Sequence, residues 1–234
     1  MKSDDYLREY IEPFKEVLSR ALDSLEGKQR NGLDEGYKVF CAVQINRSSA
    51  GFLCLKKNGL NYPARMLIRP AMEAMIKILA VKQEPSLLYR IARSEHEQDE
   101  KWARPFAPLG QNGHDATFNQ KWEKFKSDYQ KAFPTHSLTD SSIDLRSLAM
   151  KAKVDSYYDS HYRLYCQYTH AALRPLVDDL DNFSDEDERT IAATLFVAIE
   201  AVHECGGDCE GFDQLRTRFL SHNGIDEQGE AKNP

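Results

Sequence analysis

Long hydrophobic runs are missing from this chain of 234 residues. Its most apolar stretch, Ile191 to Val202, is broken by Thr194 and Glu200 and falls well short of the ~20 residues that cross a bilayer, so no membrane association is expected. A surplus of positive charge is missing too. The 31 Lys and Arg stand against 37 Asp and Glu, a formal net charge of -6, which excludes a basic nucleic-acid coat protein. The five Cys are odd in number and scattered, a usage that suits reduced thiols rather than a disulfide framework. The first residues, Met-Lys-Ser-Asp-Asp-Tyr, put acids where an export signal has its apolar segment, and a cytoplasmic protein is expected. No phosphate-cradling Gly-rich loop, His-Glu-x-x-His zinc pattern or Ser nucleophile elbow is found, and no cofactor is expected.

Alternation of apolar and polar residues with the period of a strand is also lacking, whereas nearly every long segment repeats its apolar residues at helical spacing. The chain therefore reads as all-α, with 41% hydrophobic residues to fill a core in one domain over residues 1–222 and a polar tail over 223–234. A first helix carries Leu7, Ile11, Phe14, Leu18 and Leu25 on one face and ends at Gly27. A second runs from Leu33 to Lys57 and stops at Asn58-Gly59. In the third, Ile68, Met72, Met75, Ile76 and Leu79 form the stripe, with a kink at Pro70 unless the helix begins there. A fourth is expected from Ser86 to Trp102, and the Pro- and Gly-rich residues 105–117 read as an irregular insertion. Then come an amphipathic helix from Phe118 to Phe133, one from Leu145 to Lys153 capped by Ser141 or Ser142, and a long one from Val154 to Leu180. Ser184 and Asp187 read as a capping box for the next, whose acidic first turn suits the helix dipole, and Gly206-Gly207 ends it.

Two polar ladders stand out. On the Val154 to Leu180 helix, Arg163, Gln167, His170 and Arg174 lie within about 40° of one line. Such a stripe is either plain solvated surface or a phosphate-addressing face, with Arg as fixed cation and His as proton donor or acceptor. The third helix offers Arg65, Arg69, Glu73 and Lys77 at four-residue intervals. These are either exposed ion pairs or a cluster that a neighbouring helix covers; a covered Arg69–Glu73 pair should cost roughly 3 kcal/mol or more to break, a solvated one about 1 kcal/mol at most. The five tyrosines from Tyr157 to Tyr168 suit a core or dimer interface more than base stacking. His203, Cys205 and Cys209 cluster, but without the second ligand pair of a structural zinc site, and no metal is expected.

The stretches Tyr62-Pro-Ala-Arg-Met-Leu-Ile-Arg69-Pro-Ala-Met-Glu73 and Tyr162-Arg163-Leu-Tyr-Cys-Gln-Tyr-Thr-His170 resemble the two landmarks of an uncharacterised bacterial helical family, which in turn resembles the HEPN superfamily. The resemblance implies a HEPN-like helical bundle that forms a homodimer and acts as a metal-independent ribonuclease in toxin–antitoxin or antiviral defence systems, with an antitoxin or defence partner. It implies catalytic roles for Arg163 and His170, with Arg69 and Glu73 orienting them, and RNA contacts from Arg65, Gln167, Arg174 and Tyr162. The rival reading is a non-catalytic module that binds a nucleotide or a partner protein.

Overall fold

The structure, a computed structural model, describes residues 6–28, 32–103, 116–138, 141–169 and 185–224. Among these residues there is no strand, so the fold is all-α as the periodicity predicts. A π-helical turn, Leu7–Ile11, leads into α1 (Glu12–Ser24), followed by α2 (Leu33–Lys57), a short α3 (Asn61–Met66), α4 (Ile68–Gln83) and α5 (Leu87–Ala103). Then come α6 (Ala116–Ala132), α7 (Leu145–Lys151), the single turn α8 (Asp155–Tyr157), a second π-helical turn (Tyr158–Tyr162), α9 (Arg163–Thr169), α10 (Asp185–Glu204) and α11 (Phe212–His222). The expected insertion at 105–117 lies outside the described residues apart from Ala116 and Thr117, which already belong to α6; the tail beyond 224 and most of the second half of the expected Val154 to Leu180 helix lie outside them too.

The centre of the molecule is a packing of α1, α2, α4 and α10. Phe14, Leu18, Ile45, Phe52, Met72, Leu195 and Ile199 are fully enclosed there. Burying side chains of this size supplies roughly 1.5–3 kcal/mol each, which is what holds α2 and α10 at the middle. Pro70 does not kink α4, because the helix begins two residues earlier and a proline in the first turn gives up an N–H that has no intrahelical partner. Asn58-Gly59 does end α2: Gly59 takes φ +73°, and the Leu60 N–H bonds the Leu55 carbonyl at 2.9 Å, closing a Schellman turn. At the far end of α10, Gly206 plays the same conformational part at φ +81°. Gly207 has a different reason, since a Cβ there would meet the Ala21 carbonyl of α1 at 3.2 Å.

One expected cap is replaced, and another involves a residue outside the described ones. Asp144, not Ser141 or Ser142, caps α7 by accepting the Ser147 N–H at 2.8 Å. Asp187 is turned inward to Arg65 and Tyr165, and its expected capping partner Ser184 lies outside the described residues. On the other side of α4, α7 packs through Leu148 and Ala149 against Ile76, Ala80 and Ile91, and α6 lies on α5 through Tyr89 and Tyr129. Among the described residues no helix is long and apolar enough to cross a membrane.

Candidate functional site

The two landmark stretches lie antiparallel and are joined by a polar zipper. At one end the Tyr62 hydroxyl donates to the Tyr168 carbonyl at 2.9 Å. One turn on, the Arg65 Nε donates to Asp187 Oδ2 at 2.9 Å while the Tyr165 hydroxyl donates to Asp187 Oδ1 at 2.7 Å. The Arg65 guanidinium also lies 5.3 Å from the centre of the Tyr168 ring, within cation–π range. At the other end the Tyr162 hydroxyl donates to Glu73 Oε1 at 2.5 Å, and the Arg69 Nε donates to the same carboxylate oxygen at 3.1 Å. Arg69 is also 3.2 Å from the Tyr162 hydroxyl.

Burial and then the bond to Glu73 push the Tyr162 phenol upward from its ordinary value, so it remains a proton donor to the carboxylate at neutral pH. Burial and the charge of Asp187 do the same to Tyr165. Tyr162 and Tyr165 are thus protonated phenols held against carboxylates, each carboxylate neutralised by an arginine. A second ionic contact seats α10, where Lys56 from the last turn of α2 pairs with the fully buried Glu188.

Arg69, Glu73 and Tyr162 line a cavity of about 290 Å³ with Lys77, Glu95 and Asp144. Lys77 does not join Glu73, as the ladder allowed; it donates to Glu95 at 2.6 Å across to α5. Ser94 both donates to the Ile143 carbonyl at 2.7 Å and accepts its N–H at 2.9 Å, which pins the segment before α7 to α5. The cavity wall is therefore fixed on three sides by polar contacts.

Arg163 stands outside the zipper. Its side chain is 67% exposed, and its Nη1 lies 3.6 Å from Asp159 Oδ1. Arg146 at the start of α7, 64% exposed, approaches the other oxygen of Asp159 at 3.6 Å, so two guanidiniums share one carboxylate at the surface. The π-helical turn is the local cause. Its extra residue stacks Tyr158 on Tyr162 with centroids 4.9 Å apart and interrupts the uniform helix expected here. Beside it, His161 spans Ser160 Oγ at 2.7 Å and Glu186 Oε1 at 2.8 Å.

Of the expected site residues, the structure brings Arg69, Glu73 and Tyr162 together and leaves Arg163 at the surface with Gln167 half-buried beside it. Arg65 is corrected from a substrate contact to an internal one: it is 6% exposed and committed to Asp187. Tyr162 likewise serves the zipper, because its hydroxyl is spent on Glu73. His170 and Arg174 lie outside the described residues. Glu188 and Arg146 were not singled out in the sequence, and Asp187 was expected only as a cap, not as the acid that holds Arg65 and Tyr165. For the two acids a signal existed, since they fall three to four residues before Ile191 and Ala192 and extend the apolar stripe of α10; for Arg146 there was none. Cys205 and Cys209 direct their thiols to the Glu35 and Ile199 carbonyls, each at 3.9 Å, and among the described residues no group of three or more His, Cys, Asp or Glu is placed to hold a metal.

Fold and site together define an all-helical protein whose two signature stretches are clamped to each other by arginine–carboxylate–tyrosine contacts. The chain belongs to the family of unknown function DUF5677, whose model matches residues 35–188. That span begins in α2, ends at Glu188 and so contains every member of the zipper, while α1 and α11 fall outside it. No curated protein and no solved structure matches the chain.

Proposed function

We propose that this protein is a HEPN-like, metal-independent endoribonuclease, acting as a homodimer in a defence or toxin–antitoxin setting. The observation that carries the reading is the exposed Arg163, which sits on a helix whose opposite face is held rigidly by Tyr162, Tyr165 and Tyr168. Preorganised cations aimed at developing phosphoryl charge are an efficient form of catalysis, and a clamped helix supplies the rigidity. His170, seven residues on, removes the proton of a ribose 2′-OH or returns one to the leaving 5′ oxygen. The 2′ oxygen forms the new bond to phosphorus as the bond to the 5′ oxygen breaks, leaving a 2′,3′-cyclic phosphate and a 5′-hydroxyl. Arg69 and Glu73 act as positioning residues through Tyr162, the neighbour of Arg163.

Purified protein is incubated with mixed transfer and messenger RNA, with and without EDTA, and the ends are characterised. Cleavage that persists in chelator, leaves cyclic phosphate ends and disappears in His170→Ala and Arg163→Ala is the expected result. Arg163→Lys should recover only part of the activity, because a point charge cannot reproduce the bidentate guanidinium. Equal cleavage by wild type and His170→Ala identifies a contaminant and defeats the proposal. The zipper also favours a second reading: its members bond to one another and so account for the landmarks as architecture alone, as in a non-catalytic module binding a nucleotide or protein. Absence of cleavage under every condition selects that reading.

A further inference from the structure

The cavity of about 290 Å³ beside the zipper is lined by two carboxylates that are each half used. Glu73 on α4 spends Oε1 twice, on the Tyr162 hydroxyl and on the Arg69 Nε. Glu95 on α5 does the same, accepting the Lys77 Nζ at 2.6 Å and the Tyr37 hydroxyl at 3.2 Å on its Oε1. Among the described residues neither Oε2 has a hydrogen-bond partner, and neither is sealed from solvent. Lys77 stands one turn beyond Glu73 on α4, so its contact sets Glu95 about one turn of that helix from Glu73. Asp144, the third acid of the lining, has both oxygens engaged by Ser147. Ile91, Leu145 and Leu148 supply apolar wall. The interior therefore suits a small ligand with apolar faces and a row of hydrogen-bond donors. Its volume is at the lower end of small-molecule sites, which suits a nucleobase with its sugar and phosphate outside.

The rim has the opposite character. Leu145 and Tyr162 line the cavity, and the residue after each, Arg146 and Arg163, is at the surface. One carboxylate, Asp159, serves both guanidiniums, and each contact of 3.6 Å is longer than a hydrogen bond. Among the described residues neither guanidinium donates a hydrogen bond, so their forks of N–H groups are available to a phosphate without displacing Asp159. The stack of Tyr158 on Tyr162, and the packing of Tyr158 against the core of α7, keep Arg163 beside Arg146.

We infer that this cavity is a base pocket for guanine, with Glu73 and Glu95 accepting from the base and Arg146 joining Arg163 on the neighbouring phosphate. The inference rests on RNA being the ligand of the proposed function, and it names the base beside which that site would act. Sequence-specific RNA recognition reads the Watson–Crick edges of unpaired bases. Guanine presents N1–H and the N2 amino group side by side there. Uracil presents one N–H between two carbonyls, and adenine and cytosine present one amino group beside an acceptor nitrogen. Each of those acceptors would face a carboxylate and be repelled.

The full chain is titrated by calorimetry with the 3′-monophosphates of guanosine, inosine, adenosine and uridine. Guanosine should bind most tightly, and inosine, which lacks only the N2 amino group, about tenfold more weakly, the worth of one hydrogen bond to a charged acceptor. Glu95→Gln should remove the guanosine preference and leave uridine binding unchanged. Arg146→Ala should weaken all four by a similar factor and keep their order, because it touches only the phosphate. Equal affinity for the four probes, no binding of any at millimolar concentration, or a guanosine preference that survives Glu95→Gln overturns the pocket; unchanged affinities in Arg146→Ala overturn the rim. The inosine comparison needs no variant and decides even if Glu95→Gln fails to fold. Guanosine preference in a protein that never cleaves RNA removes the nuclease reading and keeps the pocket. RNA cleavage without base preference, together with equal probe affinities, keeps the nuclease and removes the pocket.

Discussion

The Tyr162 hydroxyl and Arg69 meet on one oxygen of Glu73, where each donor offsets part of the cost of enclosing the carboxylate. The Arg69 and Glu73 side chains are 25% and 32% exposed, which puts the pair between the two alternatives the sequence left open. Water still screens it, so Glu73→Gln should cost about 1–2 kcal/mol, not the 3 expected of a fully covered pair. Tyr162→Phe should cost a similar amount by removing one charge-assisted bond, and denaturant midpoints measure both. If Arg163 depends on this contact, Tyr162→Phe should also lower kcat for RNA while leaving KM nearly unchanged. Asp144 offers a cleaner test. Accepting the Ser147 N–H holds its carboxyl below the usual carboxylate range, so its capping contribution is present above that range and is lost as pH falls through the depressed value. Asp144→Ala should therefore lower stability by about 1 kcal/mol at neutral pH, with the gap in melting temperature closing as pH drops below about 4.

Between elements, Arg65 to Asp187 ties α3 to the first turn of α10 with both side chains nearly inaccessible. Removing one charge leaves the other enclosed without its counter-ion. Arg65→Met and Asp187→Asn should each destabilise by roughly 3–5 kcal/mol, and the double variant by less than their sum, since neither unpaired charge then remains. A double-mutant cycle in urea reads this directly; additive losses would mean that the two side chains stabilise the fold independently. Lys56 and Glu188 make a parallel tie from α2 to the next residue of α10. Two adjacent acids on one helix turn thus reach two different neighbours, and the register of α10 against α2 and α3 follows from that division.

For the molecule as a whole, the enclosed tyrosines predict alkaline lability. Burial pushes Tyr6 and Tyr157 up to about 12 and raises Tyr37, Tyr162 and Tyr165 as well. A phenol whose folded value exceeds its unfolded value of about 10 contributes stability that is fully present below that pH and is lost as pH rises toward the folded value. Tyrosinate absorbance should therefore rise in one cooperative step above about pH 10, together with loss of helical circular dichroism. Gradual titration ahead of unfolding would place these hydroxyls in water. Assembly is testable at the same scale: the proposed function calls for a symmetric dimer built partly on residues 154–180. Light scattering that finds a monomer at micromolar concentration, unchanged at low salt, removes the composite cleft and favours the binding module.

The all-α class, the bounds of α2 at Leu33 and Lys57 and the helix end at Gly206-Gly207 were all legible in the sequence, because apolar spacing and terminal glycines act within a few residues of where they stand. The ladder of Arg65, Arg69, Glu73 and Lys77 was legible for the same reason, as was the tyrosine periodicity of the facing helix, though Lys77 turns to Glu95 instead of Glu73. Their pairing was not. Tyr162 meets Glu73 across 89 positions and Arg65 meets Asp187 across 122, and no local pattern states which distant acid will enclose a given cation. Asp187 and Glu188 continue the apolar stripe of α10, so their place on its buried face was legible even though an acidic first turn also suits the helix dipole; which cations meet them was not, because that depends on the approach of α2 and α3. The π-helical turn before Arg163 belongs to the same class, being a local departure that satisfies tertiary packing of Tyr158 and Tyr162. Local physics thus fixed where the helices run, and the removal of solvent between them decided which charges became structure and which, like Arg163 and Arg146, stayed at the surface.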